Sequence, residues 1–130
     1  MPDNKKTGQI GEDLACKFLE RKGYKILERN KHFSRTCEID IIALDNKTLV
    51  FVEVKTRKTI ACGIPFEAIT KTKYNNIKTG LFNYLQEHKE YKKYRIDAIS
   101  VMLTPQTKIE HLKNKRLIKK REVCLWKKST

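Results

Sequence analysis

Asp40, Glu53 and Lys55 are the residues of this 130-residue chain whose types and spacing suit chemistry. They lie in two apolar stretches, CEIDIIAL and LVFVEVKT, where an unpartnered carboxylate would be costly to bury. Two acids so placed, with a lysine two residues on, suit phosphodiester hydrolysis. That reaction needs a water in line with the leaving oxygen and charge neutralisation around the phosphate, and a divalent cation held by carboxylates supplies both. Asp40 and Glu53 would be its ligands, the backbone carbonyl of Val54 a further one, and Glu12 would complete the site from a helix. Lys55 would orient the water or balance charge. An acid-x-lysine triplet alone is common on solvated strand faces. Here Leu49 and Phe51 share the face of Glu53, and Ile42 and Leu44 that of Asp40, too apolar a setting for a merely solvated strand end.

The elements that position these residues follow from periodicity. Residues 7–23 predict a helix, with Ile10, Leu14 and Phe18 one turn apart, Thr7 as its cap and Gly23 at its end. Glu12 falls on the edge of the apolar arc, whereas Asp13 and Glu20 point away. Residues 24–30 predict a first strand and HFSRT a polar loop. Residues 37–44 and 49–56 predict two strands joined at Asn46 and Lys47. An even-membered hairpin there sets opposite each other the residues whose numbers sum to 93, so Asp40 faces Glu53 and Glu38 faces Lys55. Directly opposed carboxylates repel unless a proton, a cation or a lysine stands between them. A second helix is expected from Thr70 or Thr72 to about Glu90, with Ile77, Leu81 and Leu85 as its stripe, Tyr74, Phe82 and Tyr84 in its core and Gly80 allowing close packing. Strands RIDAISVML and KIEHL follow, giving the order αβββαββ. Strands apolar on both sides belong to a sheet covered by helices on both faces.

The formal net charge of +14 points to a polyanionic partner, yet the segment from Cys37 to Lys55 is acidic. An acidic island in a basic protein is the layout of a divalent-cation site within a phosphate-attracting surface. Arg35, Arg57, Lys58, Lys71 and Lys73 flank the island and would contact phosphates. A membrane partner is disfavoured, since no apolar run approaches the roughly 20 residues of a span, and the polar start MPDNKKTGQ predicts a cytoplasmic protein. Cys16, Cys37, Cys62 and Cys124 are far apart, without a CxxC, and are expected as reduced thiols. His32, His88 and His111 show no evident carboxylate partner, so no chemistry is assigned to them.

The blocks GQIGEDLACKFLERKGYKILERN, EIDIIALDNKTLVFVEVKTR, AITKTK, RIDAISV and IEHLKN together resemble the YraN family of bacterial proteins over roughly residues 7–114. That family looks like a branch of the PD-(D/E)XK, or restriction-endonuclease-like, superfamily and is similar in layout to archaeal Holliday-junction resolvases. The resemblance implies an α/β fold with a mixed β-sheet flanked by helices, a nuclease-like domain over residues 1–114 and a basic extension of it over 115–130. It carries the superfamily's helix glutamate onto Glu12, its metal aspartate onto Asp40 and its acid-x-lysine pair onto Glu53 and Lys55. It also implies Mg²⁺ or Mn²⁺ as cofactor, DNA rather than RNA as partner, and a homodimer, because a symmetric junction is cut at two points. The expected function is metal-dependent endonucleolytic hydrolysis of DNA, selective for branched or damaged structures; the alternative is a non-catalytic nucleic-acid-binding module, RNA-associated or not. The chain departs from the pattern at Ile39, where the resolvases have proline, at Cys37, where YraN relatives have glycine, and in its basic tail.

Overall fold

The computed structural model describes residues 4–34, 37–58, 69–113 and 123–124. Helix α1 (Asn4–Arg21) buries Ala15, Cys16 and Leu19 and begins before Thr7, so Thr7 lies inside the helix rather than at its cap. It ends where expected. Gly23 takes φ 93°, its N–H donates to the Glu20 carbonyl at 3.0 Å, and the Tyr24 N–H reaches back to Leu19 at 2.9 Å. This closure satisfies the last carbonyls and needs a residue at ease with positive φ.

Five strands form one mixed sheet in the order β1-β2-β3-β5-β6: β1 (Lys25–Ser34), β2 (Cys37–Asp45), β3 (Thr48–Arg57), β5 (Lys93–Met102) and β6 (Lys108–Leu112). Neighbours are antiparallel except β3 and β5, whose parallel pairing requires a crossover, supplied by helix α2 (Lys71–Glu87). Two short strands, β4 (Ile69–Thr70) and β7 (Val123–Cys124), pair separately and return part of the basic tail to the body of the fold. The principal elements keep the expected order αβββαββ.

The hairpin between β2 and β3 turns at Asn46 and Lys47, with Asn46 at φ 56°, and pairs Ile42 with Phe51 and Asp45 with Thr48, in the expected register. Helices cover both faces. On one side α1 packs Ala15 and Leu19 against Ile41, Val50, Val52 and Ile99; on the other α2 packs Ile77, Leu81 and Tyr84 against Ile42, Leu49 and Phe51. Gly80 permits that second contact: a Cβ there would lie 2.9 Å from the Phe33 ring and 3.2 Å from Cys37 Sγ.

Two further expectations are corrected. The segment HFS belongs to β1 rather than to a loop, because the Phe33 ring stacks on Phe51 at 5.7 Å and holds the strand against its neighbour. Phe82 is not core: it is 40% exposed, one position past the buried stripe at Leu81. Tyr84 is buried and Tyr74 half-buried, as expected. Among the described residues no helix is long and apolar enough to cross a membrane, and the described thiols Cys16 and Cys37 are free.

Candidate active site

The sheet forks at the acids. Strand β2 pairs with β1 as far as Cys37, and β3 pairs with β5 as far as Arg57, but the ladder between β2 and β3 ends at Ile41 and Val52. The next residues outward are Asp40 and Glu53. Asp40 Oδ2 accepts the backbone N–H of Val54 at 2.8 Å, so a carboxylate continues the link where backbone pairing stops. Ile39 joins the apolar cluster under α2 and Ile41 the one under α1, which puts Asp40 where β2 changes the face it serves.

Glu53 is 7% exposed. Asp40 is half-buried and in hydrogen-bonding contact with it. Burial, then that contact and the charge of Glu53, push the Asp40 carboxyl from its ordinary 3.8 up to about 9; the Val54 N–H opposes the shift and Glu12 adds a little to it. Two acids in one desolvated fork do not both ionise without a positive charge between them, so near neutral pH the pair retains a proton. The expected juxtaposition of Asp40 and Glu53 is thus present, one step beyond the regular ladder.

Glu12 arrives on α1 through its neighbour Gly11. A Cβ on Gly11 would lie 1.8 Å from Thr56 Oγ1, so the bare glycine lets the helix press onto β3 one residue beyond Lys55. Sequence reasoning passed over Gly11; the motif GQIGED carries the signal. Glu12 Oε1 is buried and makes no hydrogen bond, and Arg29 Nη2 stands 3.6 Å from it while binding Asp13 at 2.8 Å. Burial raises the Glu12 carboxyl, and contacts with Asn30 and Arg29 oppose the rise.

Lys55 follows Glu53 by two residues on the same side of β3, half-buried and across from Ser100 of β5. The expected Glu38–Lys55 pairing is replaced: Glu38 binds His32 of β1 at 3.0 Å, because β2 stays with β1 after leaving β3. Among the described residues no three His, Cys, Asp or Glu side chains form a ready metal cage. What the fork gathers is a carboxylate pair and the Val54 backbone, with Glu12 at the margin. This donor set suits a hard cation that keeps much of its water shell, as Mg²⁺ does when bound through one or two carboxylates.

Of the expected phosphate contacts, Arg57 and Lys58 continue β3 past the fork, their carbonyls accepting the N–H groups of Leu103 and Thr104 at 3.0 and 2.8 Å. Lys71 and Lys73 lie in the first turn of α2, and Arg35 lies outside the described residues.

The histidines have partners after all. His111 Nε2 lies 2.8 Å from Oδ2 of Asp97, which is fully buried, and His111 Nδ1 lies 2.8 Å from Lys22 Nζ. Arg95 binds Asp97 Oδ1 and Asp45 Oδ2, both at 2.9 Å, and also the Tyr24 hydroxyl. His88 stands 3.8 Å from Glu90. The Asp97 network ties the segment just after α1, β5, β6 and the hairpin end of β2 together, running from Asp45 at the hairpin to Asp97, which lies across from Val52.

The fold is the restriction-endonuclease-like α/β fold. It superimposes on Archaeoglobus fulgidus Hjc, described as a Holliday junction resolvase from an archaeal hyperthermophile, with a TM-score of 0.54 over 92% of this chain and 87% of that one, at 15% identity. Among curated proteins, the UPF0102 protein of Alkaliphilus oremlandii is 44% identical over 115 residues, 85% of this chain and 97% of its own. That of Dictyoglomus thermophilum is 42% identical over 108 residues, 82% of this chain and 91% of its own. Residues 11–101, which include Glu12, Asp40, Glu53 and Lys55, match the family described as Uncharacterised protein family UPF0102. The chain belongs to that family.

Proposed function

We propose that this protein is a Mg²⁺- or Mn²⁺-dependent endonuclease that hydrolyses phosphodiester bonds in DNA, selective for branched or damaged structures. The observation that carries the proposal is the desolvated Asp40–Glu53 pair at the fork of β2 and β3, held against the Val54 backbone with a proton where a cation would relieve the repulsion. A nucleic-acid-binding surface has no use for buried acids that repel phosphate, whereas a hydrolytic site does.

Asp40, Glu53 and the Val54 carbonyl would hold the cation, and Glu12 would accept a hydrogen bond from its water shell. Bound there, a divalent ion supplies Lewis acidity and a more acidic water. Lys55 lies on the side of Glu53 and balances the charge that builds on the phosphate. Arg35, Arg57, Lys58, Lys71 and Lys73 would contact the flanking backbone, in a cytoplasmic protein whose residues 1–114 form the nuclease-like domain and 115–130 its basic extension. The resolvase activity named for Hjc supports a branched substrate and a homodimer that cuts it at two points.

A second reading, a nucleic-acid-binding module without turnover, draws on the charge of +14 and on the absence of a three-ligand cage among the described residues. Incubating four-way junctions, linear duplex and structured RNA with each metal separates the two. Cleavage of DNA that is lost in Glu53→Gln supports the nuclease. Tight binding without cleavage of any substrate by either metal supports the module.

A further inference from the structure

The end of the sheet opposite the fork carries an unusual surface. Phe82 of α2 and Tyr94 of β5 are 40% and 47% exposed and meet edge to face, ring centroids 5.7 Å apart. Their neighbours in sequence are buried: Leu81 beside Phe82, and Ile96 two residues beyond Tyr94. A lone exposed aromatic is ordinary; two held in contact at the surface form a rigid apolar platform. Lys78 Nζ stands 5.8 Å from the Phe82 ring centre. Tyr94 also lines a cleft of about 520 Å³ together with Thr48, Lys92, Lys93, Arg95 and Lys113. Arg95 is neutralised by Asp45 and Asp97, and Lys113 Nζ stands 4.0 Å from Asp45 Oδ2, so the excess charge of the cleft comes from Lys92 and Lys93. Among the described residues no acid forms an ion pair with Lys92 or Lys93.

We infer that this platform and cleft bind an unpaired strand of nucleic acid, Tyr94 and Phe82 stacking a base and Lys92 and Lys93 holding the adjoining phosphates. Aromatic faces stack only on bases whose own faces are free, which duplex denies and a single strand offers; lysines beside such rings track the backbone. Tyr94 pairs with Leu49, and Glu53 lies four residues further along β3. At about 3.3 Å per residue the platform stands roughly 13 Å along the sheet from the carboxylate pair. The inference deepens the proposed function and rests on its nucleic-acid reading, though not on cleavage: the substrate would carry an unpaired arm beside the duplex that is cut.

The test is fluorescence anisotropy in EDTA, where no cleavage intervenes, with a labelled oligothymidylate of about 15 nucleotides and a duplex of the same length. Tyr94→Leu should weaken the single strand roughly five- to a hundredfold, the worth of one stacked base, and leave duplex affinity within about twofold. Tyr94→Phe should bind like wild type. Lys92→Gln with Lys93→Gln should weaken the single strand and flatten its salt slope by about 1.4. Both aromatic changes lie at an exposed position, and a thermal melt verifies the fold. Tyr94→Leu that binds oligothymidylate like wild type, or that loses duplex equally, overturns the inference while leaving the proposed function standing. Wild type that binds neither nucleic acid overturns both. A wild-type dimer that Tyr94→Leu converts to monomer, with single-strand affinity unchanged, assigns the platform to a second copy of the chain instead.

Discussion

Asp40 of β2 accepts a 2.8 Å hydrogen bond from the backbone N–H of Val54 on β3, at the point where the two strands have ceased to pair. That bond aims the Asp40 carboxyl at Glu53 rather than at solvent. It also satisfies a donor that the opening of the sheet would otherwise leave exposed to an apolar surrounding. The fork, the hydrogen bond and the carboxylate pair are one construction.

Its first consequence is a pH-dependent stability. The folded-state value of Asp40 is raised from 3.8 to about 9, so between those values the folded chain keeps a proton that the unfolded chain releases. Stability contributed by this group therefore falls as pH rises through that window. Asp40→Asn retains an oxygen for the Val54 N–H and removes the titration. Urea unfolding should show the variant more stable than wild type at pH 8 to 9 by roughly 1 kcal/mol, the scale of opposed like charges on neighbouring strands, with the difference vanishing near pH 4. A difference independent of pH would mean that the two carboxyls are not coupled.

Gly11 offers a test of how Glu12 is placed. Alanine gains about 1 kcal/mol of helix propensity over glycine, but its Cβ would sit 1.8 Å from Thr56 Oγ1, 2.7 Å from Thr56 Cβ and 2.7 Å from Thr56 Cγ2. A β-branched side chain within a strand has little rotamer freedom to yield, so overpacking dominates. Gly11→Ala should lose about 1–2 kcal/mol net, and Thr56→Gly added to it should recover part of that loss. Chemical denaturation of the two variants measures both effects.

The buried network around Asp97 predicts a larger loss. Asp97 is fully buried and engaged by Arg95 and His111, so Asp97→Asn turns an amide donor toward one of two donors. Breaking such a buried charged contact costs about 3–5 kcal/mol, read as a lowered urea midpoint at pH 7. A loss under 1 kcal/mol would show the network to be solvent-compensated.

Much of this arrangement was legible in the sequence, for a physical reason. Strands β2 and β3 are apolar runs that meet through a two-residue turn, so one sum of residue numbers sets their register and places Asp40 beside Glu53. The helical angle between Glu12 and Leu19 likewise puts Glu12 at the buried margin of α1. What escaped depends on distant partners. Phe33 reads as loop until Phe51 and Tyr84 surround its ring. His111 finds Asp97 only through the β5–β6 register, which sets His111 opposite Ile99 and Asp97 on the diagonal. Gly11 is silent until Thr56 is seen against it. Phe82 follows Leu81 by one residue, about 100° around the helix, and that rotation carries it off the buried face.

The last prediction separates holding a cation from using it. Glu53→Gln keeps the size of the side chain and removes ligand charge, so Mn²⁺ binding measured by calorimetry should weaken at least tenfold, about 1.4 kcal/mol, and cleavage of junction DNA should fall below detection. Asp40→Asn should do the same. Metal-free binding of DNA by either variant should persist or tighten, because each change removes negative charge from a surface that must accept phosphate. Lys55→Ala should behave differently: it lies beyond the carboxylate pair on β3, so Mn²⁺ affinity should stay within about twofold of wild type while turnover drops by about 10²–10³, the scale of losing one positioned charge in a water-excluded site. Loss of metal affinity in Lys55→Ala would move that residue from transition-state stabilisation to shaping the metal site. Wild type that binds no Mn²⁺ and cleaves no DNA would leave the carboxylate pair as a proton-sharing joint between two strands and the nuclease proposal without support.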